Sequence, residues 1–380
     1  MIYLDNAATT CPFPEVLDRV RDVAENWYAN PHALHAFGVS AERLATEARK
    51  TLADCLRVYP SELVFTSGGT EANNLVILGL AMFPERLGRH VLASAIEHPS
   101  VLEPINRLGK IGFEVELLRV GEDGVPDPVE TAAHVRPDTR LLSIMHVNNE
   151  SGAILPVAEI IRLAKKVNPN LLVHVDAVQS FGKIPVLPKS WGADFVSFSA
   201  HKLHGPRGAG VLYIRKGTRL DPILLGGGQE GGMRSGTLNL PGICGFATAV
   251  TLAGERQQQN GCRLSGMKKD LQAQLKEKLQ GSVLILSPEN SSPYILQVAF
   301  EKVKSEVLLH HLAGQGIFVS SGSACASRKD TRSHVVKAMH IPEKWQGGVI
   351  RFSFSGSTTK NELELALEAV MSIYPGIRIR

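Results

Sequence analysis

Lys202 closes a stretch, residues 194–202, that begins as a buried strand, and Gly205, Gly208 and Gly210 follow at once. Solubility gives no reason for a lysine in such a place. Ligands of open α/β sheets bind at the carboxyl ends of strands, and an amine kept from water there is able to form a Schiff base. Pyridoxal phosphate is the carbonyl compound this setting suggests. Far along the chain, Cys325 lies in a loop of small residues, 320–327, with Arg328, Lys329, Arg332 and His334 soon after. Basic neighbours of that kind favour thiolate. Amine and thiol together point to sulfur chemistry on an amino acid. Cys11, Cys55, Cys244 and Cys262 have no such surroundings and read as inert packing residues.

Other residues gain meaning beside this pair. Asp176 ends a strand pattern over residues 171–175. A carboxylate there either pairs with a pyridinium nitrogen, keeping the ring electron-accepting, or merely caps a turn. Gln179 stands one turn on and would donate a hydrogen bond to the cofactor's phenolate oxygen. His98 precedes Pro99; its ring either stacks on an aromatic cofactor and shuttles protons, or belongs to an ordinary loop. The turn Thr66-Ser67-Gly68-Gly69-Thr70-Glu71 follows a strand and opens a helix. Its backbone N–H groups and the Thr70 hydroxyl either hold a phosphate at the positive end of that helix or form a plain connection with a capping threonine. Ser199 and His201 flank Lys202 and read as further phosphate donors. Arg351, in an apolar strand pattern, must meet an acid: the carboxylate of a substrate or the partner in a structural salt bridge. His310 and His311 fall in a helical pattern without ligand spacing, so no metal is assigned.

The elements that position these residues follow from periodicity. Short β-branched runs at 63–66, 91–94, 141–144, 171–175 and 195–199 alternate with helical patterns, which predicts a mostly parallel sheet with helices on both faces. Residues 211–214 add a strand through the glycine-rich turn, as a hairpin. Glycines at 226–228, 231, 232 and 236 break the periodicity and end that sheet. Residues 246–280 read as an amphipathic helix interrupted near Asn260-Gly261, and strands are expected at 294–300, 317–319 and 349–354 before a closing helix over 360–373. The expected architecture is α/β: a mixed sheet in a large domain, residues 13–250, plus a smaller α+β domain of residues 1–12 and 251–380 carrying the Cys325 loop.

Composition narrows the class further. The chain has 380 residues, 44% hydrophobic and 21% charged, with no low-complexity tract or fixed repeat, so it is able to bury a large core. Its 41 basic and 37 acidic residues give a net charge of +4 spread along the chain rather than gathered in a basic block. Direct nucleic-acid binding is not expected. The five cysteines are odd in number and widely spaced, without a C-x-x-C pair, which suits a reducing compartment. The amino terminus lacks the basic and apolar segments of a signal peptide, and no run of apolar residues is long enough to cross a membrane. A cytoplasmic protein is expected.

Several motifs in order resemble the NifS/IscS class of cysteine desulfurases, pyridoxal-phosphate enzymes of aminotransferase class V with fold type I. The carriers are Tyr3-Leu4-Asp5-Asn6-Ala7-Ala8-Thr9-Thr10, Asn30-Pro31-His32 with His35, residues 66–74, Glu97-His98, Val147-Asn148-Asn149-Glu150, residues 174–180, residues 197–208, Arg234-Ser235-Gly236-Thr237, residues 321–325 and Ile350-Arg351-Phe352-Ser353. The resemblance runs nearly end to end. It implies that Lys202 carries the cofactor, His98 stacks on its ring, and Asp176 and Gln179 contact its nitrogen and phenolate. It further implies that Asn149 lies beside cofactor and substrate, and that Gly69, Thr70, Ser199 and His201 bind the phosphate. Thr237 would reach in from the second subunit of a homodimer, Arg351 would take the substrate carboxylate, and Cys325 would be the nucleophile. The implied reaction converts L-cysteine to L-alanine, leaves a persulfide on Cys325 and passes that sulfur to an acceptor protein, as in iron–sulfur cluster assembly.

Two positions depart from the family pattern: Gly231 stands where an arginine is usual, and Ser151 where an apolar residue is common. They bear on the shape of the subunit-crossing loop and on the choice of partner. The segment after the last helix is also shorter than in members that dock an iron–sulfur scaffold. Two alternatives share some of these features: a selenocysteine lyase or aminotransferase in which Cys325 is incidental, and a non-catalytic sulfur-relay module.

Overall fold

The computed structural model describes residues 1–82, 88–322 and 333–378. Chain order begins with β1 (Ile2–Tyr3), α1 (Pro14–Asn26), α2 (Ala36–Leu56), β2 (Leu63–Thr66), α3 (Gly69–Ala81), β3 (His90–Ser94), α4 (Pro99–Lys110) and β4 (Glu114–Leu118). It continues with α5 (Pro128–Ala133), β5 (Thr139–Met145), α6 (Val157–Val167), β6 (Leu172–Asp176), α7 (Pro188–Trp191), β7 (Phe195–Ser199) and β8 (Gly210–Ile214). The remainder comprises α8 (Leu240–Lys278), β9 (Val283–Ile285), β10 (Ile295–Phe300), α9 (Ser305–Gly314), β11 (Ile317–Phe318), α10 (His334–Ala338), α11 (Glu343–Gln346), β12 (Val349–Ser353) and α12 (Lys360–Ile377).

A seven-stranded sheet in the order β2-β8-β7-β6-β5-β3-β4 forms the centre. Strands β7, β6, β5, β3 and β4 pair in parallel, while β8 runs antiparallel to both of its neighbours. The hairpin expected through the glycine-rich turn is therefore present. Because β8 reverses twice, β2 points the same way as the parallel strands, and α3 opens at the same sheet edge as Asp176 and Lys202. Alternation along the strands separates the faces: Val91 and Ala93 pack with Leu75 and Val76 of α3 and Ile105 of α4. Leu92, Val175 and Phe198 face the other way, toward α1, α2, α6 and the start of α8. Burial of each such Leu, Val or Phe contributes about 1.5–3 kcal/mol.

Three strands in the order β12-β10-β9, all antiparallel, make a second sheet, covered by α9, α12 and the later part of α8. The first residues of the chain join it indirectly: β1 pairs with β11 in parallel, and Asp5 bridges Ser353.

Helix α8 departs from the sequence reading. It runs unbroken for 39 residues, about 60 Å, through Asn260 and Gly261. Its residues to Ala253 sit in the core of the large sheet, and those from Leu264 sit in the core of the small one. Packing at both ends outweighs the weak helix propensity of an Asn-Gly pair. Strands β1, β4 and β9 were not foreseen. Two of them are only two or three residues long, and β4 is an edge strand with exposed Glu114 and Leu117, whose charge hides the strand pattern while protecting the edge.

Candidate active site

Five connections converge on the carboxyl edge of the large sheet: β2 into α3, β3 into α4, and the segments after β5, β6 and β7. A cavity of about 270 Å³ lies there, lined among others by Gly69, His98, Asn149, Asp176, Lys202 and Arg351. Thr70, Gln179, Ser199 and His201 also line it, so all but two of the residues singled out from sequence meet at one place. Thr237 is exposed and does not line this cavity. Cys325 lies outside the described residues.

Lys202 ends the short turn Ala200–Lys202 that follows β7. Its Nζ donates to the carbonyls of Ala7 and Ala8 at 2.6 and 2.7 Å. Those carbonyls are fixed from the small sheet, because Asn6 Nδ2 donates to the Ser353 carbonyl at 3.0 Å and the Ala7 N–H donates to Ser353 Oγ at 2.9 Å. The amino-terminal segment is thus the floor on which the lysine amine rests. Sequence reading did not find this role for Ala7 and Ala8, since neither side chain has any chemistry to signal it.

Asp176 and His98 are tied together through two residues also missed from sequence. Asn73 Nδ2 donates to Asp176 Oδ2 at 2.9 Å and to Ser100 Oγ at 2.8 Å, and the Val178 N–H donates to Asp176 Oδ1 at 2.9 Å. Ser100 Oγ lies 2.8 Å from His98 Nδ1, which also accepts the Ser100 N–H at 3.1 Å as the cap of α4. With Asn73 supplying its hydrogen, the Ser100 hydroxyl donates its own proton to Nδ1, so a neutral His98 carries hydrogen on Nε2. Burial pushes the His98 pKa down; the Asp176 charge opposes this, whereas Lys202 and His334 add to it. A buried amide amid the apolar residues of α3 was the available signal for Asn73.

The residues present fit a phosphorylated cofactor. Ser199 Oγ is buried and has no hydrogen-bond partner among the described residues. The cap of α3, Gly68, offers no side chain to its first N–H groups, and a Cβ on Gly69 would lie 2.6 Å from Val178 Cγ2. A bare helix start and an unsatisfied hydroxyl side by side make a cradle for an anion. His201, whose Nδ1 meets Thr9 Oγ1 at 3.2 Å, is pushed down to about 4 by burial first and by Lys202, Lys183 and Arg207 next.

Arg351 on β12 is 2% exposed. It meets Asp5 Oδ1 through Nη2 at 2.7 Å and the Asn149 carbonyl through Nη1 at 2.8 Å, while Nε is buried with no partner among the described residues. The structural salt bridge therefore exists, and the guanidinium still borders the cavity. Both stems of the segment holding Cys325 fasten close to these groups. Ser320 and Arg351 exchange backbone hydrogen bonds at 3.2 and 2.7 Å, Ser333 Oγ donates to Glu150 Oε2 at 2.5 Å, and His334 Nε2 lies 2.9 Å from the Glu97 carbonyl. Each anchor is a cavity residue or its immediate sequence neighbour.

Of the two departures, Ser151 is buried and donates through N and Oγ to Asn148 Oδ1 at 2.8 and 3.2 Å, a use an apolar side chain lacks. Gly231 sits between Glu230 and Gly232, all three with positive φ, in open space. Glycine lowers the strain of that left-handed run.

Comparison with known proteins identifies the family. The aminotransferase class-V family model matches residues 2–365. The chain is similar to the cysteine desulfurase IscS of Dictyoglomus turgidum, 38% identical over 377 residues that cover 99% of this chain and 95% of the relative. It superposes on the structure of a NifS-like protein with a TM-score of 0.93 at 38% identity, covering 99% of each chain. It is also similar to SspA solved in complex with cysteine, with a TM-score of 0.82, 32% identity, and coverage of 94% of this chain and 100% of that one. The chain belongs to the aminotransferase class-V family, with the type I fold of its pyridoxal-phosphate enzymes, and within it to the NifS/IscS cysteine desulfurases.

Proposed function

We propose that this cysteine desulfurase binds pyridoxal 5'-phosphate through Lys202 and converts L-cysteine to L-alanine, with Cys325 receiving the sulfur. One observation carries the reading: an amine from the turn after β7, a carboxylate from β6 and a guanidinium from β12 converge on one cavity beside a bare helix start. When bound, pyridoxal phosphate supplies an electron sink for charge that develops at the substrate's Cα.

The chain's own residues do the rest. Gly69, Thr70, Ser199 and His201 hold the phosphate, with Thr237 contributed by the second subunit of a homodimer. Asp176, oriented by Asn73 and the Val178 N–H, keeps a proton on the ring nitrogen, and Gln179 donates to the phenolate oxygen. Asn149 lies beside the substrate, whose carboxylate takes the free side of Arg351. Lys202 removes the Cα proton as a general base, and His98 stacks on the ring and moves a proton at Nε2. The thiolate of Cys325 attacks the substrate sulfur. The S–S bond forms as the Cβ–S bond breaks, the two sulfurs are oxidised while Cβ is reduced, and protons returned to Cβ and Cα complete alanine. The persulfide then passes to an acceptor protein.

A cytoplasmic setting suits this chemistry, which needs reduced thiols; among the described residues no helix is long and apolar enough to cross a membrane. The test is spectroscopic. Protein purified with the cofactor is expected to show a visible absorption band that Lys202→Ala abolishes, and a band that survives this substitution would refute the assignment.

A further inference from the structure

Lys183 is a buried cation that the proposed reaction does not use. It is 7% exposed, and among the described residues no carboxylate pairs with it. Its Nζ donates to Gln179 Oε1 at 3.2 Å and lies 5.7 Å from the centre of the Tyr294 ring. Burial pushes it down to about 7, and the charges of Lys202 and Arg351 push in the same direction. His201 and His204 are lowered mainly by burial, with Lys183 adding to it, and Asp5 is engaged by Arg351. An ammonium placed among other cations without an acid is costly to the fold. Packing alone is a poor reason to keep it.

Its neighbour supplies a better one. A carbonyl only accepts, so Nε2 of Gln179 must face the Ala7 carbonyl at 2.9 Å, which leaves Oε1 toward Lys183, whose Nζ donates to it as ammonium or as neutral amine. One N–H of Nε2 goes to Ala7, and the other remains for the cavity that Gln179 lines. Lys202 Nζ donates to the same Ala7 carbonyl, so Lys183, Gln179, Ala7 and Lys202 form one hydrogen-bonded row. A hydrogen-bond donor on the amide oxygen also draws electron density from the nitrogen and makes its N–H a stronger donor.

We infer that Lys183 is a positioning residue of the reaction, holding the Gln179 amide so that its N–H faces the cofactor's phenolate oxygen. This rests on the reading that Lys202 carries pyridoxal phosphate. The phenolate, supported by that donor, lowers the proton affinity of the neighbouring cofactor nitrogen. Loss of the support raises it.

The test compares wild type, Lys183→Met, Lys183→Arg, Gln179→Ala and the Lys183→Met/Gln179→Ala double variant, all loaded with pyridoxal phosphate. The readouts are the pH midpoint of the visible band and the dissociation constant of the cofactor. Lys183→Met is expected to move the midpoint up by about 1 pH unit and to weaken cofactor binding about tenfold, as fits one charge-supported hydrogen bond. Lys183→Arg should stay close to wild type. In the Gln179→Ala background, Lys183→Met should add little. A midpoint unmoved by Lys183→Met, or moved equally with and without Gln179, overturns the inference. Should Lys183→Met not fold, the loaded wild-type crystal structure decides. An amide turned the other way, or separated from Lys183 Nζ by more than about 4 Å, overturns it, and the row seen here supports it. A wild type without a visible band would sink both readings; a normal band indifferent to Lys183 sinks this one alone.

Discussion

Arg351 already has two partners within the protein, and one substitution tests whether it takes a third. Asp5 and the Asn149 carbonyl hold Nη2 and Nη1, so in the proposed reaction the substrate carboxylate approaches the remaining side, where Nε lies. Arg351→Lys keeps the charge but loses the fork, and KM for L-cysteine is expected to rise at least about tenfold, the loss of one charge-assisted hydrogen bond. Steady-state kinetics on protein with an unaltered visible band checks this. Glu97 makes a second case, because its carboxyl is fully buried, accepts from Ser94 Oγ at 2.5 Å and the Met145 N–H at 2.7 Å, and has Oε2 without a partner among the described residues. Burial, abetted by the Asp176 charge, pushes its pKa from 4.5 up to about 8. The folded state therefore binds a proton that the unfolded chain has released. Stability from this group is full below about pH 4.5 and is lost as pH rises toward 8. Glu97→Gln removes that loss, so its melting temperature should gain on wild type by about 2 °C or more between about pH 5 and pH 8. Equal pH profiles would contradict the assignment. Residues of this kind mark the boundary of what sequence discloses. Lys202, Asp176 and His98 are legible because strand ends are where such groups act; Asn73, Ser100, Glu97 and Lys183 act through other residues, near in sequence or far, and only their polarity within apolar runs hints at them.

At the scale of elements, α8 shows why a local reading fails and how to exploit the failure. Gly254, Gly261 and Gly266 all lie inside this helix, and a Cβ at any of them would meet nothing within 4 Å. Gly261→Ala should therefore stabilise the protein by about 0.5–1 kcal/mol in urea unfolding, since the unfolded chain loses freedom and no native contact is disturbed. A destabilised variant would mean that the helix is broken there after all. Asn260 has its own reason to be present: a Cβ on Gly356 would lie 2.6 Å from its Nδ2, so the two small groups let α8 and the segment after β12 approach closely. The strands of the large sheet were legible because parallel strands buried on both faces keep unbroken apolar runs. Strand β4 was not, because this edge strand carries Glu114 and Glu116 opposite His90 and Leu92 of β3, which breaks the apolar run. The turn at the head of α3 was legible as a glycine cluster, yet its tightness depends on Gly210 of β8, where a Cβ would lie 2.5 Å from Gly68 Cα. Nothing local to residues 66–71 announces that neighbour.

For the whole molecule, the site exists only because distant parts of the chain meet. The large sheet supplies Asp176 and Lys202, the small sheet supplies Arg351, and the amino-terminal segment between them supplies the carbonyls under the lysine. We place the boundary between the two domains near residue 250, shortly before α8 passes from one core to the other between Ala253 and Leu264, and regard the homodimer as the assembly that brings Thr237 to the cavity. Transfer of sulfur to Cys325 is the central step of the proposed reaction. The most direct measurement is mass spectrometry of the Cys325 peptide after the cofactor-loaded enzyme has met L-cysteine without reductant, alongside alanine release by wild type and Cys325→Ser. One extra sulfur atom is expected on Cys325 in wild type, and a Cys325→Ser protein should keep its visible band but release no alanine beyond background. An unmodified Cys325 with undiminished turnover in the serine variant would contradict the proposed reaction.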